Sequence, residues 1–199
     1  MKGSKLFRLE AHMRPPVEAW LATQGYVSWP EVPCLFGIAD LVAVALHEDR
    51  AQQRLAEGPI SSWGSAHQCA HKLLLPSPSW YPLWRDIRAI ELKLADWECA
   101  IHQARSYKPA SQHGYVALPA DVLDRKPDVI ADACKADGVG LLSVTPDGVT
   151  QLLQSGEPKQ VYPTEVVRIA EKGWMLWRNA RQNQCNSAPE GGPFERNGG

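Results

Sequence analysis

Three charged residues of this chain stand where water is not expected. Glu91 and Lys93 interrupt the apolar stretch RAIELKLA (88–95), and Asp40 lies within GIADLVAVAL (37–46). Side chains alternate along a strand, so Glu91 and Lys93 project from one face about 7 Å apart. The other face carries Arg88, Ile90, Leu92 and Leu94. The flanking residues on the Glu91 side, Ala89 and Ala95, are small and apolar, which argues against a solvated face. A buried carboxylate is costly unless it is paired, hydrogen-bonded, protonated or bound to a metal. If the two stretches are neighbouring strands, Asp40 and Glu91 converge with Lys93 beside them. Two carboxylates and the Leu92 carbonyl would form a hard oxygen set that suits Mg²⁺ or Mn²⁺. Such a site performs metal-assisted attack on a phosphodiester.

Plainer readings compete. Glu91 and Lys93 could form a cross-strand ion pair on an exposed face, and Asp40 could be a hydrogen-bonded turn former. His67, Cys69 and His71 invite a zinc reading, but their spacing fits no structural-zinc pattern. Surface loop residues describe them better. Arg85, Arg88, Arg105 and Lys108, with Trp80, Tyr81 and Trp84, could line a nucleic-acid groove. There, guanidinium groups would hold phosphates and aromatic rings would stack on bases. The tryptophans could equally fill a satellite core. Trp174 and Trp177, three apart, read as packing.

The positioning elements follow from pattern. PPVEAWLATQ (15–24) predicts a helix, with proline in its first turn and Gly25 as its stop. YVSWPEVP (26–33) predicts an edge strand, because Pro30 and Pro33 limit pairing. The 37–46 stretch, rich in Val, Ile and Leu, predicts a strand buried on both faces. A polar helix over 48–57 follows, then an irregular insert over 58–84 in which Pro, Gly and Ser break periodicity. A strand over 86–95 leads to a helix over 96–107, with Asp96 as N-cap and Pro109 as terminator. A strand over 114–119, a helix over 120–137 broken at Pro127, and a hairpin turning at Pro146-Asp147-Gly148 come next. A final helix over 164–180, weakened by Gly173, precedes a tail from Arg181 whose composition predicts disorder. Strands alternating with helices imply an α/β fold, a mixed sheet with helices on both sides.

Asp40, then Glu91-Leu92-Lys93 on an apolar strand, then a helix bearing Gln103-x-x-x-Tyr107, resemble the PD-(D/E)XK nuclease superfamily. The Gln-x-x-x-Tyr element is similar to that of its RecB-like branches. The resemblance covers residues 15–155 in element order, and Ala39 replaces the usual proline before the aspartate. It implies a restriction-endonuclease-like fold, Asp40 and Glu91 as metal ligands, and a Lys93 that positions or helps deprotonate the attacking water, or neutralises charge at the transferring phosphoryl group. It implies that Gln103 and Tyr107, one turn apart on one helix face, orient the site or touch the nucleic-acid backbone. The family's additional glutamate on the first helix corresponds to Glu18, with Glu31 as a competitor on the next strand.

Composition bounds these expectations. The 199 residues, 44% hydrophobic and 22% charged, suit one domain over 1–180 with a proper core. A net charge of −1 announces no global field for nucleic acid, so DNA, or RNA, would have to be met by a local patch. Five widely spaced cysteines without a C-x-x-C pair favour free thiols in a reducing compartment. The N-terminal residues lack the apolar core of a signal peptide, and the longest apolar stretch, 35–46, is too short to span a bilayer. A cytoplasmic protein that contacts no membrane is the expectation. The resemblance admits a homodimer. The rival to a nuclease is a nuclease-like scaffold that binds or assembles without turnover.

Overall fold

The computed structural model describes residues 4–57 and 83–186. His67, Cys69, His71, Trp80 and Tyr81 of the insert, and the tail beyond Asn186, lie outside the described residues. A 3₁₀ turn, Glu10–Met13, leads into α1 (Arg14–Thr23). Then come β1 (Tyr26–Cys34), β2 (Gly37–Leu46), α2 (Glu48–Glu57), β3 (Trp84–Leu92) and α3 (Trp97–Ser111). The chain continues through β4 (His113–Pro119), α4 (Ala120–Leu123), α5 (Pro127–Asp137), β5 (Gly140–Thr145), β6 (Gly148–Leu153) and α6 (Pro163–Asn186).

The six strands form one sheet in chain order. β1, β2 and β3 pair antiparallel, β3, β4 and β5 parallel, and β6 closes the far edge antiparallel. The parallel pairs require crossovers, which α3 and the α4–α5 segment supply. Val17 and Leu21 of α1 pack on one face against Leu41, Ile90, Leu92 and Leu142. Tyr107 of α3 and Ile169 of α6 cover the other, against Val42, Val44, Ile87 and Ala89. The predicted mixed α/β sheet flanked by helices is the fold the chain adopts. Burial on both faces explains why β2 and β3 read as nearly continuous apolar runs.

Some boundaries differ from the sequence expectation. β3 ends at Leu92 rather than continuing to residue 95. The Leu94 N–H turns instead to Glu10 Oε1, at 3.3 Å. Pro109 does not stop α3, which reaches Ser111. It sits in the last turn, so its missing N–H costs one helical bond, and its carbonyl accepts from Tyr162 N at 2.8 Å. α6 passes through Gly173 and extends to Asn186, beyond the expected end at residue 180. A Cβ at Gly173 would lie 2.8 Å from Val44 Cβ, so glycine lets α6 rest directly on β2. The base of the β2-to-β3 connection is closed by His47 N–H donating to the Leu83 carbonyl at 3.1 Å.

Candidate active site

β2 and β3 are direct neighbours. Their register pairs Leu41 with Ile90, so Asp40 and Glu91 are the next step along, where regular pairing stops. Asp40 Oδ2 there accepts from the Leu92 N–H at 2.8 Å, which anchors the carboxylate to the adjacent strand. Glu91 is only 1% exposed. Lys93 Nζ lies 2.8 Å from Glu91 Oε1, and the Tyr107 hydroxyl 3.1 Å from Oε2. Lys93 is one residue past β3, but its N–H still donates to the Ala117 carbonyl at 3.2 Å. That bond prolongs the strand alternation and keeps Lys93 on the Glu91 side.

The charges are strongly coupled. Burial raises the Glu91 carboxyl pKa and the charge of Asp40 raises it further, while bonds from Lys93 and Tyr107 pull it down. Burial alone would depress Lys93. The bond to Glu91 and the charges of Glu91, Glu10 and Asp40 outweigh it and hold the ammonium above its ordinary value. Burial, then the Glu91 charge, push Tyr107 well above the usual phenol range, so it stays a neutral donor. Its hydroxyl also lies 2.9 Å from the Ile38 carbonyl, and its one proton serves these two acceptors.

Of the site residues expected from sequence, Asp40, Glu91, Lys93 and Tyr107 come together, and it is the N–H of Leu92, not the expected carbonyl, that meets Asp40. Gln103 is one turn from Tyr107, but its Oε1 accepts from Cys99 Sγ at 3.4 Å and makes no bond to this group. Glu18 makes no hydrogen bond or ion pair among the described residues. Glu31 is exposed, with φ of 54°, and contacts neither Asp40 nor Glu91 through a bond. The acid from the first helical segment is instead Glu10. Its Oε2 lies 3.7 Å from Lys93 Nζ, while its Oε1 takes the Leu94 N–H. Its one trace in the sequence is its place just before the proline-initiated helix.

The expected basic groove does not form as drawn. Arg88 is 8% exposed and packs over the rings of Tyr26, Tyr115 and Trp20, with Nε 2.8 Å from Asp86. Lys108 is likewise buried, its Nζ donating to the Gly138 carbonyl at 2.7 Å. Arg88 therefore presents no free cation to a nucleic-acid backbone, and Lys108 spends one ammonium proton on that carbonyl. Arg85 is exposed and donates to the Gln24 carbonyl at 3.3 Å, but lies six residues from Glu91, about 20 Å along the strand. Arg105 is exposed and pairs with Asp137 at 2.6 Å. Trp84 and Trp177 pack around the fully buried Trp174, whose Nε1 donates to the Ala51 carbonyl at 3.1 Å.

The donor chemistry fits a hard divalent cation. Asp40 and Glu91 offer only oxygen, and Asp40 Oδ1 carries no hydrogen bond among the described residues. With Glu10, three carboxylates face one ammonium, an imbalance that a divalent ion would neutralise. No group of three His, Cys, Asp or Glu side chains clusters as metal ligands among the described residues, so water would complete the shell. No helix of the described residues is long and apolar enough to cross a membrane.

No protein-family model matches the chain, and no curated protein matches it. A solved structure of a protein of unknown function from Silicibacter pomeroyi is similar in fold. Its TM-score is 0.51 at 13% identity, over 95% of this chain and all of that one.

Proposed function

We propose that the chain is a PD-(D/E)XK-type nuclease that hydrolyses phosphodiester bonds in DNA with Mg²⁺ or Mn²⁺. The observation that carries this reading is Glu91, almost fully buried yet held by Lys93 and Tyr107 beside an Asp40 anchored on the neighbouring strand. A cluster built only to stabilise the sheet would not need a buried carboxylate beside a second, half-buried one at the point where two strands part. The free thiols of Cys34, Cys99 and Cys134 support a reducing, cytoplasmic setting.

Asp40 and Glu91 would hold the metal, which when bound lowers the pKa of its water and polarises a phosphoryl oxygen. Asp40 is oriented by the Leu92 N–H, leaving Oδ1 for ligation. Glu91 is kept in place by the neutral Tyr107 donor. Lys93, held protonated by its acidic neighbours, does not accept a proton from water at neutral pH. It supplies fixed positive charge where negative charge develops on the transferring phosphoryl group. Glu10 orients that ammonium from the outer side.

The test is incubation of the purified protein with plasmid DNA, linear DNA and RNA in Mg²⁺, Mn²⁺ or EDTA, alongside Asp40→Ala and Lys93→Ala. Metal-dependent nicking or degradation of DNA, lost in both variants, is expected. DNA retention by all three proteins without cleavage by any would replace this reading with a non-catalytic module, and cleavage confined to RNA would change the substrate.

A further inference from the structure

Away from the Asp40–Glu91 cluster, the C-terminal half of α3, the end of α5 and the 157–160 segment line a half-open cavity of about 490 Å³. Volumes of roughly 300–1,000 Å³ accommodate small ligands. Tyr107 turns to the sheet, whereas Lys108, the next residue, turns to this cavity and to Gly138. Its walls carry Arg105, Lys108, Lys135 and Lys159 against Asp137 and Glu157, a balance of +2.

The four cations are unequally engaged. Arg105 is paired with Asp137 at 2.6 Å, and Lys135 with the exposed Asp132 at 3.2 Å. Lys108 gives one proton to the Gly138 carbonyl. Lys159 makes no hydrogen bond or ion pair among the described residues. Burial disfavours the charged form of Lys108, and the Lys159 charge adds to this, against Glu157 and Asp137. An anion between these ammonium groups would relieve both effects. The remaining donors, the rest of the guanidinium fork and three ammonium groups, line one cavity from α3, α5 and the 157–160 segment, a donor-rich set that suits the several oxygens of a tetrahedral dianion.

We infer that this cavity binds a phosphomonoester, either a free phosphate or mononucleotide or the terminal phosphate of a nucleic-acid strand. The inference stands independently of the nuclease reading, because none of these walls belongs to the Asp40–Glu91 cluster.

The full chain is titrated calorimetrically at low ionic strength in EDTA, which removes divalent metal from both sites. The probes are inorganic phosphate, deoxyadenosine 5′-monophosphate, and one short oligonucleotide bearing either a 5′-phosphate or a 5′-hydroxyl. Binding should weaken as salt is added. Lys159→Ala and Lys135→Ala should each weaken it by roughly tenfold, the worth of one charge-assisted hydrogen bond. Lys159→Arg should retain it. Both lysines are exposed, so the folded state should survive, as circular dichroism would verify. Binding of phosphate or the mononucleotide identifies a free ligand, and binding of the phosphorylated oligonucleotide alone identifies a strand end; either upholds the inference. Absence of binding by every phosphomonoester, affinity indifferent to both alanine substitutions, or equal affinity for the 5′-hydroxyl oligonucleotide overturns it.

Discussion

The Tyr107 hydroxyl stands 3.1 Å from Glu91 Oε2, joining the C-terminal half of α3 to a carboxylate buried in β3. This bond lowers the Glu91 carboxyl pKa against the effect of burial, so the phenol helps keep the carboxylate ionised. Tyr107→Phe keeps the ring packing and deletes only the donor. It should cost about 1–2 kcal/mol, since a buried acceptor loses its partner. Cleavage should fall by about 10- to 100-fold, as when the partner of a metal-binding carboxylate is removed. Denaturant unfolding and a plasmid-nicking rate would measure the two effects, and an unchanged nicking rate would remove Tyr107 from the site.

Lys93→Ala should destabilise the fold in a pH-dependent way. Because the folded Glu91 pKa is raised, the native state holds this proton more tightly than the unfolded chain. Such a group contributes stability at acid pH that is lost as pH rises through the folded value. Removing Lys93 deletes two influences that lower the Glu91 pKa, so it should rise further. The loss, about 1–3 kcal/mol for a partly exposed buried pair, should be larger near pH 8 than near pH 5. Urea midpoints at the two pH values would test the sign.

Gly37→Ala should disturb the same cluster from the backbone side. Gly37 has φ of 153°, and a Cβ there would lie 3.1 Å from Tyr107 Cε1. The substitution should displace the Tyr107 ring and cost about 1–3 kcal/mol through strain. A normal thermal midpoint with normal activity would show that the ring has room to move.

Acid should release the N-terminal segment before the core unfolds. Burial raises the Asp121 pKa, but the Lys5 N–H, the Ser4 hydroxyl and Arg125 outweigh it and hold the carboxyl below its ordinary range. Its stabilising contribution is therefore present above the ordinary aspartate range and lost as pH falls through the folded value. Asp121→Asn should abolish this acid step. Proteolysis or amide exchange at residues 4–9, followed as pH falls, would detect it.

Thiol labelling should discriminate among the described cysteines. Cys34 and Cys134 are buried, and burial pushes their thiols up to about 11 and about 12. Cys99 is exposed on α3. Iodoacetamide labelling mapped by peptide mass should modify Cys99 in the native protein, and Cys34 and Cys134 only on unfolding. Equal native labelling at all three would contradict the packing around α5 and β1.

The candidate cluster was legible in sequence because a charge inside an apolar run has few inexpensive explanations, which held for Asp40 and Glu91 alike. That β2 pairs with β3 was not legible, since strand partnership is a long-range relation that neither run encodes. Glu10 is not legible in sequence because a single 3₁₀ turn has no periodicity, whereas the prolines at 15 and 16 mark a helix start that puts Glu18 on the first helix. Arg88 shows the limit of reading charge as surface: three aromatic rings and Asp86 make a buried site for its guanidinium, and only tertiary structure assembles them. Pro109 does not end α3 because only two residues of helix follow it and its carbonyl is bonded by the Tyr162 N–H, a tertiary contact that local sequence does not encode.

The bond from His47 to Leu83 has a practical corollary. Chain departure and chain return are fastened together at the ends of β2 and β3, on either side of anything inserted between residues 58 and 82. A guest domain or fluorescent reporter spliced there would hang from a stapled stem. Lengthening a connection between two fastened ends adds entropy only logarithmically, so the host should tolerate the graft with its Asp40–Glu91 junction undisturbed.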